Sequence, residues 1–497
     1  RMVVLVVVFG QRSSSTVRSV AIHASVFPCS VKTVLSGDEW LAATTGRSSA
    51  GPSLLRPIRS PVLIDGPSAT PADIGFGQPK SDGIGAAKRD GVCRRGFYLL
   101  RKQRSADVIG AYYSALTVRS DVTQSLFTPF SLRGTEFRNR VMMSPMCQYS
   151  ADDGFADDWH RVHLGSRAVG GAGVVMTEAT AVEERGRITP GCLGIWSDEH
   201  AEALAPTVEF VRSQGATPGI QLAHAGRKAS HRPPSEGGAP IPAADADGWE
   251  TVSATDDPYP DGDRSEADES GQPGDSGEPA ATRRLATDEI PDVIDAFADA
   301  AERSLDAGFE IAEVHAAHGY LLHQFLSPVT NDRDDAYGGS FEDRTRLVRE
   351  VVSAVRDVWP DDKPVFVRIS ATDWLDERDS WDVDDSVRLA PRLAEAGADL
   401  IDVSGGGIHP AQQVPNTGPG YQVPYAEAIR EGTDVPVAAV GGVTEPTHAD
   451  ALVRNDRADL VALGRELLRH PYWTLEAAHE LGAEVEWPVQ YRRGRFD

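Results

Sequence analysis

Eight short apolar runs alternate with stretches of helical periodicity, and this alternation constrains the fold more than any other feature of the chain. The runs are residues 140–144, 173–177, 218–222, 309–315, 364–369, 398–403, 435–440 and 458–463. They are rich in Val and Ile and nearly continuous, as expected for parallel strands covered on both faces. Between them, Val293, Phe297, Ala301 and Leu305 recur at a spacing of four and stop at Gly308, a suitable helix C-cap. Leu347, Val351 and Val355 repeat the spacing ahead of Trp359 and Pro360. Eight β–α alternations predict an α/β fold, a (β/α)8 TIM barrel. The alternative is an open doubly wound sheet, and the lack of a GxGxxG after the first run weighs against it.

Charge sets the boundaries of that barrel. Residues 1–120 carry 16 Lys+Arg against 7 Asp+Glu, a net of +9, whereas residues 121–497 carry 33 against 67, a net of −34. A swing of that size marks a boundary near residue 120. The first part is dominated by Ser, Arg, Gly and Pro without a sustained period, and reads as a disordered, low-complexity extension. Its opening RMVVLVVVFG weakly resembles a signal peptide but lacks a small-residue cleavage site, and the body reads as a cytoplasmic enzyme. Residues 121–497 are the expected catalytic domain, with an acidic, Gly- and Pro-studded surface insertion at 255–282. Lys228 and Lys363 are the only lysines of this part. So much carboxylate reads as a halophilic adaptation, in which salt screens the self-repulsion. The same field repels phosphate backbones and excludes nucleic acid as a partner.

Cys29, Cys93, Cys147 and Cys192 are scattered without CxxC or Cys/His spacing. That argues against a disulfide framework, a zinc site or an iron–sulfur cluster. No apolar run approaches the roughly 20 residues that span a bilayer, so no membrane partner is expected.

Active sites of such barrels lie at the C-terminal ends of the strands. Those ends carry Pro145-Met146-Cys147, Glu178-Ala179, Gln221, His315 with His318, Arg368, Ser404-Gly405-Gly406, Gly441-Gly442 and Gly464-Arg465. Glycine turns after the last three strands let backbone N–H groups approach a phosphate, and Arg465 can close the clamp. A phosphate-bearing ligand follows. His315 and His318 have no carboxylate or thiolate at ligand spacing, so no metal is expected.

The segments SPMCQYS (144–150), IQLAHAGRK (220–228), EVHAAHGYLLHQFLSPVTNDRDDAYGGSFEDR (313–344), FVRIS (366–370), AVGGV (439–443) and GRELLRHP (464–471) resemble the old yellow enzyme family. The likeness runs from about residue 126 to 494, and is greatest to the bacterial NADPH dehydrogenase branch, which has a cysteine near its flavin. It implies FMN as cofactor, NADPH or NADH as reductant, and enones, quinones or nitro compounds as substrates. Ser144, Pro145, Met146, Cys147, Ala179, Gln221, Arg368, Gly464 and Arg465 match the family's FMN contacts, and the turns at Gly405, Gly406, Gly441 and Gly442 join them as candidates. The resemblance implies that Arg368 places positive charge at the N1–C2=O end of the ring, Gln221 bonds the pyrimidine edge, and Cys147 tunes the potential. It makes His315 and His318 donors to the substrate carbonyl oxygen, Tyr320 the proton donor to the α-carbon, and Tyr149 a second substrate contact.

The tail PVQYRRGRF (488–496) is similar to the family's C-terminus, where an arginine enters the neighbouring subunit's site. Arg493 is the matching residue, which implies a homo-oligomer, dimer or tetramer. Arg492 stands where an acidic residue is expected. The insertion is longer than in compact members, and either covers the site or hangs in solvent. Ile188 falls near a size-limiting position, and its aliphatic side chain suggests a roomier pocket. A 2,4-dienoyl-CoA reductase-like enzyme shares the barrel but usually adds a cysteine cluster and a further domain. A tRNA dihydrouridine synthase needs a basic face. A non-catalytic flavin-binding protein would lack Tyr320 or the histidine pair, and all three are present.

Overall fold

Strands buried on both faces need two cores, one inside the barrel and one between strands and helices, and the chain supplies both. The structure is a computed structural model that describes residues 2–9, 19–26, 125–260 and 280–496. The barrel strands are β1 (Val141–Met143), β2 (Val174–Ala181), β3 (Thr217–Ala223), β4 (Ile311–Ala316), β5 (Val365–Ser370), β6 (Leu400–Ser404), β7 (Val437–Ala439) and β8 (Leu460–Leu463). Each pairs in parallel with the next and β8 pairs with β1, so the sheet closes and the open-sheet alternative is excluded. Each of the eight predicted runs overlaps one of these strands.

The helices of eight residues or more are α1 (Asp158–Val169), α2 (Asp198–Ser213), α3 (Ile290–Asp306), α4 (Arg346–Val358), α5 (Val383–Glu395), α6 (Val423–Gly432), α7 (Pro446–Arg454) and α8 (Trp473–Glu480). In α3, Val293, Phe297 and Ala301 are buried at the predicted spacing, and Gly308 follows the helix at φ +94°, where an L side chain is strained. Alternate strand residues divide between the two cores. Ala312, Val314, Val367, Ile369, Ile401 and Val403 face the helices, while Ile311, Phe366, Leu400, Ala438 and Leu460 fill the barrel's N-terminal end. Fully burying each Val, Ile, Leu or Phe side chain among them contributes about 1.5–3 kcal/mol. A hairpin of Phe130–Leu132 and Thr135–Phe137 plugs that end, with the Phe137 ring edge-on to Phe366 at 6.3 Å.

Contacts divide the chain into residues 1–118 and 119–497, close to the predicted boundary. Within the first unit, Met2–Phe9 pairs antiparallel with Ser19–Val26. The expectation of no regular element there is corrected for these two segments, whose Val-rich composition favours extended backbone. The remainder of the extension lies outside the described residues, as do residues 261–279 of the insertion. The insertion's stems are tied together by a short parallel pair, Thr251–Ser253 with Thr282–Arg284.

Candidate active site

Above the apolar layer, the inward positions of the strands become polar. The register places Glu313 beside Gln221, and Arg368 between His315 and Asp402. Gln221 Nε2 donates to Glu313 Oε1 at 2.8 Å, and Arg368 Nε lies 3.3 Å from Asp402 Oδ2. Both carboxylates are fully buried. Burial, reinforced by Asp402, pushes the Glu313 carboxyl up to about 8. Glu313 Oε2 and Arg368 Nε have no hydrogen-bond partner among the described residues. Unmatched buried polar atoms are costly, and here they sit on adjacent strands beside Gln221 and His315. Gln221 keeps its carbonyl oxygen as an acceptor, and the Arg368 guanidinium supplies charge. The donor set therefore fits the pyrimidine end of a flavin.

The HAAHGY segment leaves β4 through a tight turn in which His318 and Gly319 adopt φ +57° and +72°. Left-handed backbone costs a non-glycine residue roughly 1–2 kcal/mol. The turn is held by the His318 N–H, which donates to Ser370 Oγ at 2.9 Å, and by the Gly319 N–H, which donates to His323 Nδ1 at 2.9 Å. His323 Nε2 in turn faces Asp373 Oδ1 at 3.0 Å, with both side chains fully buried. A Cβ on Gly319 would meet the Gly407 oxygen at 2.1 Å, so only glycine fits.

This turn brings His315, His318 and Tyr320 together. The ring centroids of His315 lie 5.1 Å from those of both His318 and Tyr320. His318 Nδ1 is 3.3 Å from His315 Nε2, and His318 Nε2 is 2.7 Å from Ser404 Oγ. Burial, aided by the Arg368 charge, holds both imidazoles well below the usual histidine range, so both are neutral. Burial likewise raises the Tyr320 phenol, which keeps its proton. Ile188, Ala179, Ala223 and Ala225 line one small cavity with Tyr320.

On the opposite rim, Cys147 and Tyr149 follow β1. Burial pushes the Cys147 thiol up, and the Ala179 N–H and Tyr149 hydroxyl reach its sulfur. Burial also raises the Tyr149 phenol. Their loop is anchored by Glu178, which accepts from the Gln148 N–H at 3.1 Å and lies 3.4 Å from His160 Nε2. The other free cysteine among the described residues, Cys192, lies after β2 and is buried.

The three glycine turns are not equivalent. After β6, Gly406 N donates to Thr372 O at 2.8 Å and Gly407 N to Gln412 Oε1 at 2.7 Å. A Cβ on Gly405 or Gly406 would meet the Trp374 ring at 2.7 or 2.5 Å, so these two glycines make room for tryptophan. The turn after β7 carries Gly441 (φ +128°) and Gly442 (φ +65°), and Gly464 after β8 leads into the short helix Arg465–Arg469. Arg493 is exposed, in the turn Val489–Gly494. Among the described residues there is no cluster of His, Cys, Asp or Glu suited to a metal, and no helix is long and apolar enough to cross a membrane.

Sequence reasoning missed Glu313, Asp402, His323 and Lys228. The first two carried a signal, an acidic residue at an inward position of an otherwise apolar strand.

The family model for NADH:flavin oxidoreductase / NADH oxidase matches residues 125–484. A NADPH dehydrogenase of Geobacillus sp. (strain WCH70) is 44% identical over 371 residues, covering 74% of this chain and 98% of the relative. That of Bacillus subtilis (strain 168) is 42% identical over 375 residues, covering 75% and 100%. Among solved structures, morphinone reductase has a TM-score of 0.59 at 27% identity, covering 74% of this chain and 93% of its own. A 2-naphthoyl-CoA reductase complex has a TM-score of 0.62 at 23% identity, a likeness of fold that spans 53% of that longer chain.

Proposed function

Because the chain belongs to the NADH:flavin oxidoreductase / NADH oxidase family, FMN-dependent oxidoreductases, we propose that it reduces the activated C=C bond of α,β-unsaturated carbonyl compounds by a ping-pong reaction with NADPH or NADH. The observation that carries this reading is a neutral histidine pair at the strand ends, with His315 packed edge-on against both His318 and the protonated Tyr320. Ser144 to Cys147, Ala179, Gln221, Arg368, Gly441, Gly442, Gly464 and Arg465 are the residues that would hold the cofactor. When bound, FMN relays a hydride from the nicotinamide to the β-carbon of the alkene.

The chain's own residues do the rest. A carbonyl oxygen entering beside His315 and His318 replaces their 3.3 Å mutual contact with N–H donors, which are worth most where negative charge develops. Neutral imidazoles polarise that oxygen without giving it a proton. Tyr320 holds its proton at the phenol oxygen and delivers it to the α-carbon. Tyr149 contacts the substrate from the Cys147 side. Arg493, exposed on its own protomer, completes the site of a neighbouring copy in a homo-oligomer. Purified protein is expected to be yellow, with about one FMN per chain. Anaerobic NADPH should bleach it and cyclohexenone should restore the colour. Folded protein that never retains flavin, or that NADPH bleaches but no enone reoxidises, would contradict the proposal.

A further inference from the structure

The acidic insertion has a described arm, residues 255–260, and that arm reaches the site. Arg227 Nη1 donates to Asp257 O at 3.4 Å and Pro258 O at 3.5 Å, and its guanidinium lies 5.6 Å from the Tyr259 ring centroid. Its Nη2 donates to Ile408 O at 3.2 Å, which ties the arm to the loop after β6. Next along the chain, Lys228 Nζ sits 4.9 Å from the Tyr259 centroid and 5.2 Å from the Tyr320 centroid. It also donates to His318 O at 2.9 Å and Gly407 O at 3.1 Å. One ammonium therefore touches the insertion, the turn that carries the proton donor, and the loop after β6. Attraction between an ammonium and a ring face strengthens as water is excluded, so each ring supports the other's hold on Lys228.

We propose that Tyr259 is a wall of the substrate site, a positioning and specificity residue that clamps Lys228 against Tyr320 and narrows the approach to the proton donor. The inference rests on the enone-reductase reading, and it adds that compact, flat enones are favoured over enones with bulky ring substituents. Ile188 lines a small cavity with Tyr320 on one side, and Tyr259 stands across the Lys228 ammonium from Tyr320 on another.

Two readouts on the flavin-loaded enzyme test this. The first is acetylation by an N-hydroxysuccinimide ester, followed by peptide mass spectrometry, with Lys228 read against Lys363. Lys363 is a built-in control, because its Nζ bonds Phe309 O ahead of β4, away from the strand C-termini. The second is the ratio of kcat/KM for cyclohexenone to that for a bulky 3-substituted cyclohexenone. Tyr259→Ala should raise the relative labelling of Lys228 and shift selectivity toward the bulky enone by about 10-fold, the scale at which pocket shape discriminates. Tyr259→Phe, which keeps the ring, should change neither. Unchanged labelling in the alanine variant would overturn the clamp. Raised labelling with unchanged selectivity would overturn the wall. If the wild type reduces neither enone, the functional reading falls and takes the wall with it, while labelling still decides whether Tyr259 clamps Lys228.

Discussion

Cys147 shows how surroundings assign a role to a single residue. A nucleophilic cysteine needs its thiolate, and burial here raises the thiol away from it. The Tyr149 hydroxyl and Ala179 N–H that reach the sulfur make it part of a hydrogen-bonded rim. Cys147→Ala should therefore shift the flavin reduction potential, measured by dye-coupled titration, and leave enone reduction within about 10-fold of wild type. Complete inactivation with flavin still bound would instead point to covalent chemistry. At this scale the sequence was most informative where chemistry is unusual. His315, His318 and Tyr320 belong to one long motif, and the structure brings them within ring contact. Lys228 carries no such signal, because a lone lysine beside an arginine usually marks a solvated surface. Its neighbours, the Tyr259 ring and the Gly407 carbonyl of the loop after β6, are distant in sequence.

The elements were legible because strands buried on both faces write continuous apolar runs, and helices packed on one side write a spacing of four. What could not be read was where polar residues continue a strand. β2 runs on to Ala181, beyond the predicted 173–177, because the ladder with β3 resumes after a bulge between Met176 and Ala179. That bulge turns Thr177 Oγ1 toward the Gln221 N–H, 3.1 Å away, and no periodicity announces it. The loops above β2 and β3 are joined by a similar hidden device. His224 Nδ1 accepts from the Gly226 N–H, which leaves Nε2 to donate to Glu183 at 2.6 Å. Burial alone would raise the Glu183 carboxyl, but bonds from His224 and Arg185 outweigh it and hold it down to about 2. A depressed carboxyl stabilises the fold above its unfolded value and loses that contribution as pH falls toward 2. The effect is of order 1–3 kcal/mol. Glu183→Gln should thus be clearly less stable than wild type in urea at pH 6, with the gap narrowing at pH 3.5. An equal gap at both pH values would contradict the assignment.

For the whole molecule, the charge swing predicted a boundary near residue 120, and contacts divide the chain at residue 118. The family match begins at residue 125, and each barrel strand and candidate site residue lies beyond it. Deleting residues 1–118 should leave FMN content and cyclohexenone turnover close to those of the full chain. A truncated protein that folds but loses its flavin would show that the extension contributes to the site. The antiparallel pair in the extension was not anticipated, because its Val-rich run also suits a leader segment, and composition alone does not separate the two.

The central claim is that Tyr320 supplies the proton in the second half-reaction only. Stopped-flow kinetics of Tyr320→Phe measures this directly, because hydride transfer from NADPH to the cofactor needs no phenol, whereas protonation of the α-carbon does. Flavin reduction is expected to stay close to wild type while reoxidation by cyclohexenone slows by about 100-fold or more, the usual contribution of a positioned acid. Equal slowing of both half-reactions, or of neither, would show that Tyr320 is not the proton donor.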